Sequence, residues 1–200
     1  MSSSTVLRTF AFLCMAVLIA CSDSGTGVPP VGVITLSNAF TGDYALVDQN
    51  GAKVSSDQFK GKVQLVYFGF ATCPDVCPMA LGRMSAALNE LPTHARKNIV
   101  PVFITIDPER DTAEALKAYL QFDDRILGLT GSIEAIDAAR QSFKVYARKV
   151  DLVESAAGYT MDHTSHFFIV DRNGQPIWAL EDTLEPRHIA TMARKALKSK

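Results

Sequence analysis

Two thiols stand four positions apart in Thr72-Cys73-Pro74-Asp75-Val76-Cys77-Pro78, and such a pair can exchange disulfides or capture a soft metal ion. Immediately before it, Val63-Gln64-Leu65-Val66-Tyr67-Phe68 is β-branched, aromatic and apolar, which is how a strand buried on both faces reads. After it, Leu81, Met84, Leu88 and Leu91 recur at helical spacing. Pro78 suits the first position of that helix, where a missing N–H costs nothing. The cysteines therefore belong to the loop and opening turn at a helix N-terminus. Exposed N–H groups there favour anions, so this placement is expected to lower the thiol pKa and make the pair reactive or metal-binding.

The spacing separates two chemistries. Thioredoxin-type exchange uses Cys-x-x-Cys; three intervening residues give a wider bite, which can close a disulfide or embrace an ion. Folds used for dithiol exchange also carry a cis-proline ahead of the strand that faces the cysteines. Here that stretch is Tyr159-Thr160-Met161-Asp162-His163-Thr164, without proline, and it leads into the strand Phe167-Phe168-Ile169-Val170. As a loop facing the cysteine loop, it lets His163 bring a nitrogen to the two sulfurs. Two thiolates and one imidazole form a soft set that selects copper(I), and the imidazole also tolerates copper(II). A structural zinc site would need a fourth ligand, for which His166, Asp162 and Asp75 are the neighbours. A structural disulfide beside an unrelated histidine is the plain alternative.

Around this set, Asp162 can orient the loop or tune the imidazole from behind it, and Asp75 can modulate charge between the cysteines. Each is equally a loop carboxylate or turn residue. His166 is in phase with Phe168 and reads as a sheet residue; His94 and His188 read as exposed, and Met161 as packing. A peroxidase of this fold would place threonine three residues before its reactive cysteine; Phe70 stands there, which disfavours that activity.

The elements that must position these residues alternate. Tyr44 to Val54 is a hairpin turning at Asn50-Gly51, and Val100 to Ile106 is a strand. The loop Asp107-Pro108-Glu109-Arg110-Asp111-Thr112 runs into a helix, with Asp111 and Glu114 spaced as a capping box and the loop charges expected to pair locally. Arg125 to Leu129 is a short apolar stretch. Ser132 caps a helix with Ile133, Ile136 and Phe143 inward, and Val145 to Val150 is a further strand. A hairpin through Asn173-Gly174 joins His166–Asp171 to Pro176–Leu180, and the helix Pro186–Leu197 buries Ile189, Met192, Ala193 and Ala196. This order predicts an α/β, thioredoxin-like fold, with a mixed central sheet flanked by helices and an N-terminal β-hairpin.

The N-terminus addresses the compartment. Phe10 to Ala20 is apolar and shorter than the roughly 20 residues that span a bilayer, and Arg8 is the only charge before it, so it reads as a signal-peptide core. It ends in Leu18-Ile19-Ala20-Cys21 followed by polar residues, a pattern similar to the lipobox in which the cysteine receives lipid. The expected division is a signal peptide over 1–20, a lipid-anchored tether over 21–38 and one domain over 39–200, at the periplasmic face of a membrane in a bacterial cell envelope. Cys14 leaves with the signal peptide. Without Arg8 the chain carries 19 basic and 21 acidic residues, net −2, and no basic run longer than Arg194-Lys195, so nucleic acid is not an expected partner. In an oxidising compartment Cys73 and Cys77 pair unless a reductant or a metal holds them apart.

Taken together, the Thr72–Pro78 loop, the Asp107–Thr112 loop, and Asp162-His163-Thr164 with the following strand and Asp171-Arg172-Asn173-Gly174 resemble the Sco/SenC family, over about Ala39 to Leu197. The resemblance implies a membrane-tethered, thioredoxin-like protein that binds one copper through Cys73, Cys77 and His163. It further implies a metallochaperone, not an enzyme, that helps assemble the copper A centre of cytochrome c oxidase. The oxidase copper A subunit, an upstream copper donor and a thiol reductant would be its partners. The alternative within the family is a thiol-disulfide oxidoreductase that keeps the oxidase cysteines reduced through Cys73 and Cys77. Many members use a transmembrane helix, which lipid on Cys21 would replace here.

Overall fold

The computed structural model describes residues 30–152 and 158–199. The expected signal core, Cys21 and the first half of the tether lie outside them. The chain folds around an eight-stranded mixed sheet in the order β1-β10-β9-β4-β5-β6-β2-β3. These strands are β1 (Val33–Thr35), β2 (Ala45–Asp48), β3 (Lys53–Ser55), β4 (Val63–Gly69), β5 (Ile99–Thr105), β6 (Leu127–Thr130), β9 (His166–Val170) and β10 (Pro176–Glu181). β4, β5 and β6 are parallel, as crossover helices between them require, and the other pairings are antiparallel. All seven residues of β4 are buried, matching its unbroken apolar run.

β1 belongs to this sheet through β10, so residues ahead of 39 already take part in the sheet. The predicted hairpin is β2–β3, with Gly51 at φ +84° and the Asp48 carboxylate accepting from the amides of Asn50 and Ala52.

Tyr67 and Phe68 point to opposite faces of β4. Tyr67 meets Phe103 and Phe167, while Phe68 meets Phe143 and Phe168 edge-on. The α-helices among the described residues are α1 (Val76–Asn89), α2 (Thr93–Arg96), α3 (Ala113–Tyr119), α4 (Ile133–Ser142) and α5 (Pro186–Lys198), with α1 packed on α5. Ser132 caps α4 by accepting from the Ala135 amide, as predicted, but Ile133 is exposed. α3 departs from the expected box: Thr112 is the cap, accepting from Ala115, and Asp111 is fully buried. Among the described residues no helix is long and apolar enough to cross a membrane.

A buried ionic clasp ties α1 to the segment leading into β6. Asp123 accepts two bonds from the Arg125 guanidinium, at 2.7 and 2.6 Å, and one from the Ser85 hydroxyl, while Arg125 also reaches Asn89. The Arg125 bonds hold the Asp123 carboxyl well down, at about 2 against an ordinary 3.8. A depressed pKa stabilises the fold above the unfolded value, and that contribution disappears as pH falls through about 2. Asp123→Asn is expected to lose about 1–2 kcal/mol at pH 7, discounted for the partly exposed guanidinium. The gap to the unmodified chain should close between about pH 4 and pH 2 in denaturant unfolding. A gap independent of pH would assign the role to packing alone.

Candidate metal centre

Strand register brings the site together. β9 runs antiparallel to β4 with Tyr67 opposite Phe167, so residues 163–165, which lead into β9, lie beside residues 69–73, which leave β4. The Tyr67 hydroxyl and the Ser165 hydroxyl, 2.8 Å apart, and Ser165 donating to Asp182 at 2.6 Å, hold the two segments at that level. His163 is the last residue of a strand, β8 (Tyr159–His163), and not part of a loop as expected. β8 pairs with β7 (Ala147–Asp151) in a separate two-stranded sheet, with Ala147 opposite His163.

Within this frame the Cys77 sulfur lies 3.9 Å from His163 Nε2. The other ring nitrogen, Nδ1, donates to the Thr164 carbonyl at 2.9 Å, which fixes the tautomer and leaves the Nε2 lone pair toward the sulfur. Phe70 stands edge-on to the imidazole at 5.9 Å. Burial is the chief cause that pushes the His163 pKa down, which favours the neutral, ligating form. Asp162 is exposed and acts on the ring only through its charge, since the orienting bond comes from Thr164.

The cysteines differ in access. Cys77 is fully buried and Cys73 half-buried, and both are free thiols. α1 begins at Val76, so Pro78 occupies the third helical position, not the first; its missing N–H is still among the unpaired ones of the opening turn. Asp75 precedes the helix, exposed and without a side-chain cap bond, and its carbonyl accepts from Met79. The Cys77 amide donates to the Cys73 sulfur at 3.4 Å. The expected lowering of the thiol pKa fails at Cys77: burial pushes it far up, outweighing a backbone hydrogen bond from Phe70 that acts the other way. Helix-start amides favour the thiolate, but a sulfur sealed from water pays a larger desolvation penalty.

The Asp107–Thr112 loop ties both halves of the site together, which sequence reasoning missed. Asp111 accepts from the Ala71 amide at 2.9 Å and from the Thr105 hydroxyl at 2.6 Å, anchoring the start of the cysteine loop. Burial pushes its carboxyl up. Asp107 takes the Arg110 Nε as the expected local pair and also the Tyr159 hydroxyl at 2.9 Å. Arg110 donates to the Tyr159 carbonyl and lies 3.7 Å over its ring, so the loop also grips the strand that carries His163. An acid just ahead of a capping threonine gave no sign of this reach.

A bridging ion fits the Cys77–His163 pair. Bonds of about 2.3 Å to sulfur and 2.0 Å to nitrogen set two ligands of one ion roughly 3.5–4 Å apart. Among the described residues no group of three or more His, Cys, Asp or Glu is gathered closely enough to hold a metal as it stands, so adding Cys73 requires an adjustment of its loop. His166 is half-buried opposite Glu181, and His94 and His188 are exposed.

The family model described as SCO1/SenC matches residues 34–198. The SCO2-like protein of Rickettsia felis is 43% identical over 135 residues, which is 67% of this chain and 65% of that protein, so the chain spans just under two thirds of this relative's length. The solved structure of Bradyrhizobium japonicum ScoI with copper bound is 36% identical, with a TM-score of 0.72, over 80% of this chain and 100% of that one. BsSco, described as a member of the Sco family of cytochrome c oxidase assembly proteins with a disulfide switch, is 25% identical, with a TM-score of 0.65, over 84% of this chain and 98% of that one.

Proposed function

Because the chain belongs to the SCO1/SenC family, we propose that it carries one copper ion on Cys73, Cys77 and His163 and delivers it to the copper A subunit of cytochrome c oxidase. The observation that carries this reading is the Cys77 sulfur 3.9 Å from His163 Nε2, with Thr164 holding the proton on the far nitrogen. The imidazole needs no deprotonation before it ligates. The buried Cys77 must lose its proton on uptake, so affinity rises with pH. Cys73, the more accessible sulfur, is the ligand that an acceptor thiol displaces first. Lipid on Cys21, at the periplasmic face of a bacterial membrane, would keep the carrier beside its acceptor, and residues 1–20 would be its removed signal.

The test is an anaerobic copper(I) titration of the reduced chain against a competing chelator, beside His163→Ala. The substitution is expected to leave the fold intact and to weaken copper binding by about tenfold or more, the scale on which even groups behind a ligand act. Unchanged affinity and spectrum would remove His163 from the ligand set.

One feature favours a second reading. A half-buried thiol beside a sealed one, both reduced, suits an attacking and a resolving cysteine, and the chain would then keep the oxidase thiols reduced. Weak copper binding in both proteins, together with ready disulfide exchange, would select that role.

A further inference from the structure

At the end of the sheet opposite the cysteine loop, a surface cleft of about 340 Å³ is lined by Gly61, His94, Arg172, Arg194, Leu197 and Lys198, among others. Gly61 precedes the start of β4, whereas the cysteine loop follows its end, so the length of that strand separates the two places. Three elements distant in sequence supply the cleft's basic side chains: the turn between β9 and β10, the short helix α2 and the end of α5. No lining residue is acidic. Among the described residues neither Arg172, Arg194 nor Lys198 has a carboxylate within ion-pair distance.

Arg172 is held in place. The Gly61 amide donates to the Arg172 carbonyl at 2.8 Å, and Arg172 Nε donates back to the Gly61 carbonyl at 3.0 Å. This pair fixes the guanidinium by its inner nitrogen and leaves the two outer ones for a ligand. Arg194 and Lys198 are four residues apart on α5 and therefore neighbours on its surface, an arrangement of like charges that disfavours the helix slightly. Complementing the negative end of the helix accounts for basic residues in its last turn, a role that Lys195 shares. It does not account for Arg172 and His94 turning to the same cleft from other elements. The protein as a whole has net charge −1, so these cations are not part of a generally basic surface.

The geometry points to a binding site for a phosphate-bearing anion, supplied either as a soluble phosphate or as the headgroup of an anionic phospholipid. Guanidinium forks engage two phosphate oxygens at once, the Lys198 ammonium adds a point charge, and His94 adds another when protonated.

The test is nuclear magnetic resonance of the full ¹⁵N-labelled chain titrated with inorganic pyrophosphate, with chloride at matched ionic strength as control. In parallel, co-sedimentation compares phosphatidylglycerol with phosphatidylcholine vesicles. Saturable shifts at Gly61, Arg172 and the end of α5, beyond those from chloride, assign a soluble phosphate. A preference for phosphatidylglycerol without pyrophosphate saturation assigns the headgroup. R194E/K198E and, separately, R172Q are each expected to weaken whichever binding is seen by about tenfold or more, as loss of a charge-assisted hydrogen bond implies. All these side chains are exposed, and copper titration of the same variants should be unchanged, which keeps this test independent of the copper reading. Shifts no larger than chloride produces, with equal sedimentation on both vesicles, would overturn the site, as would binding that survives both variants.

Discussion

Cys77→Ser is expected to abolish stoichiometric copper(I) binding, with affinity falling by at least about a hundredfold. Substituting groups that merely stand behind a ligand already costs about 10–100-fold, and this change removes a ligand itself. Its effect should exceed that of any other single change at the site, because Cys77 is the sulfur in contact with His163 and is fully buried. Serine preserves the shape but presents a hard oxygen, which copper(I) disfavours. The thermal midpoint should stay close to that of the unmodified chain, so chelator competition reads the ligand alone. One-to-one binding retained within tenfold would mean that the metal is held elsewhere.

Gly69→Ala is expected to disturb fold and site at once. A Cβ there would stand 2.8 Å from the Cys77 sulfur, 2.9 Å from Phe103 Cε2 and 3.1 Å from Tyr67 Cε1. Gly69 ends β4 and needs no left-handed backbone; what it supplies is space under the sulfur. Overpacking of this kind costs about 1–3 kcal/mol, which in a domain of this size lowers the thermal midpoint by roughly 2–10 °C. Copper affinity should fall as well, because the sulfur must move away from His163. The double variant Gly69→Ala with Cys77→Ala is the decisive companion: removing the sulfur should recover part of the lost stability. Strictly additive losses would show that the clash lies with Phe103 and Tyr67 instead.

What the sequence disclosed follows from the range of the interactions involved. The run Val63–Phe68 announced a buried strand because all its neighbours are apolar whatever the topology. Ser132 announced a helix because its bond to Ala135 is local. The pairing of His163 with Cys77 was legible through fold order, since the segment leading into β9 must approach the exit of β4. What stayed hidden depends on three-dimensional burial. The Cys77 thiol is raised, not lowered, because desolvation outweighs the helix-start amides. The sequence spacing makes Asp111 a local cap, whereas its carboxylate accepts from the Ala71 amide, forty residues earlier in the chain. Val145–Val150 reads as a strand, but its exposed Arg148 and Lys149 give no apolar face that points to residues 159–163 as its partner, so the pairing of β7 with β8 stays hidden.

The opposition of Tyr67 and Phe167 makes the hydrophobic core the ruler by which the metal centre is measured. A shift of β9 by one residue would turn Phe167, Phe168 and Ile169 to the wrong faces, so the core excludes it. The approach of a sulfur on one element to an imidazole on another is thereby set by the register of the core strands. An insertion between His163 and His166 would leave that ruler in place and move the mark: the fold would persist, and the imidazole would miss the sulfur.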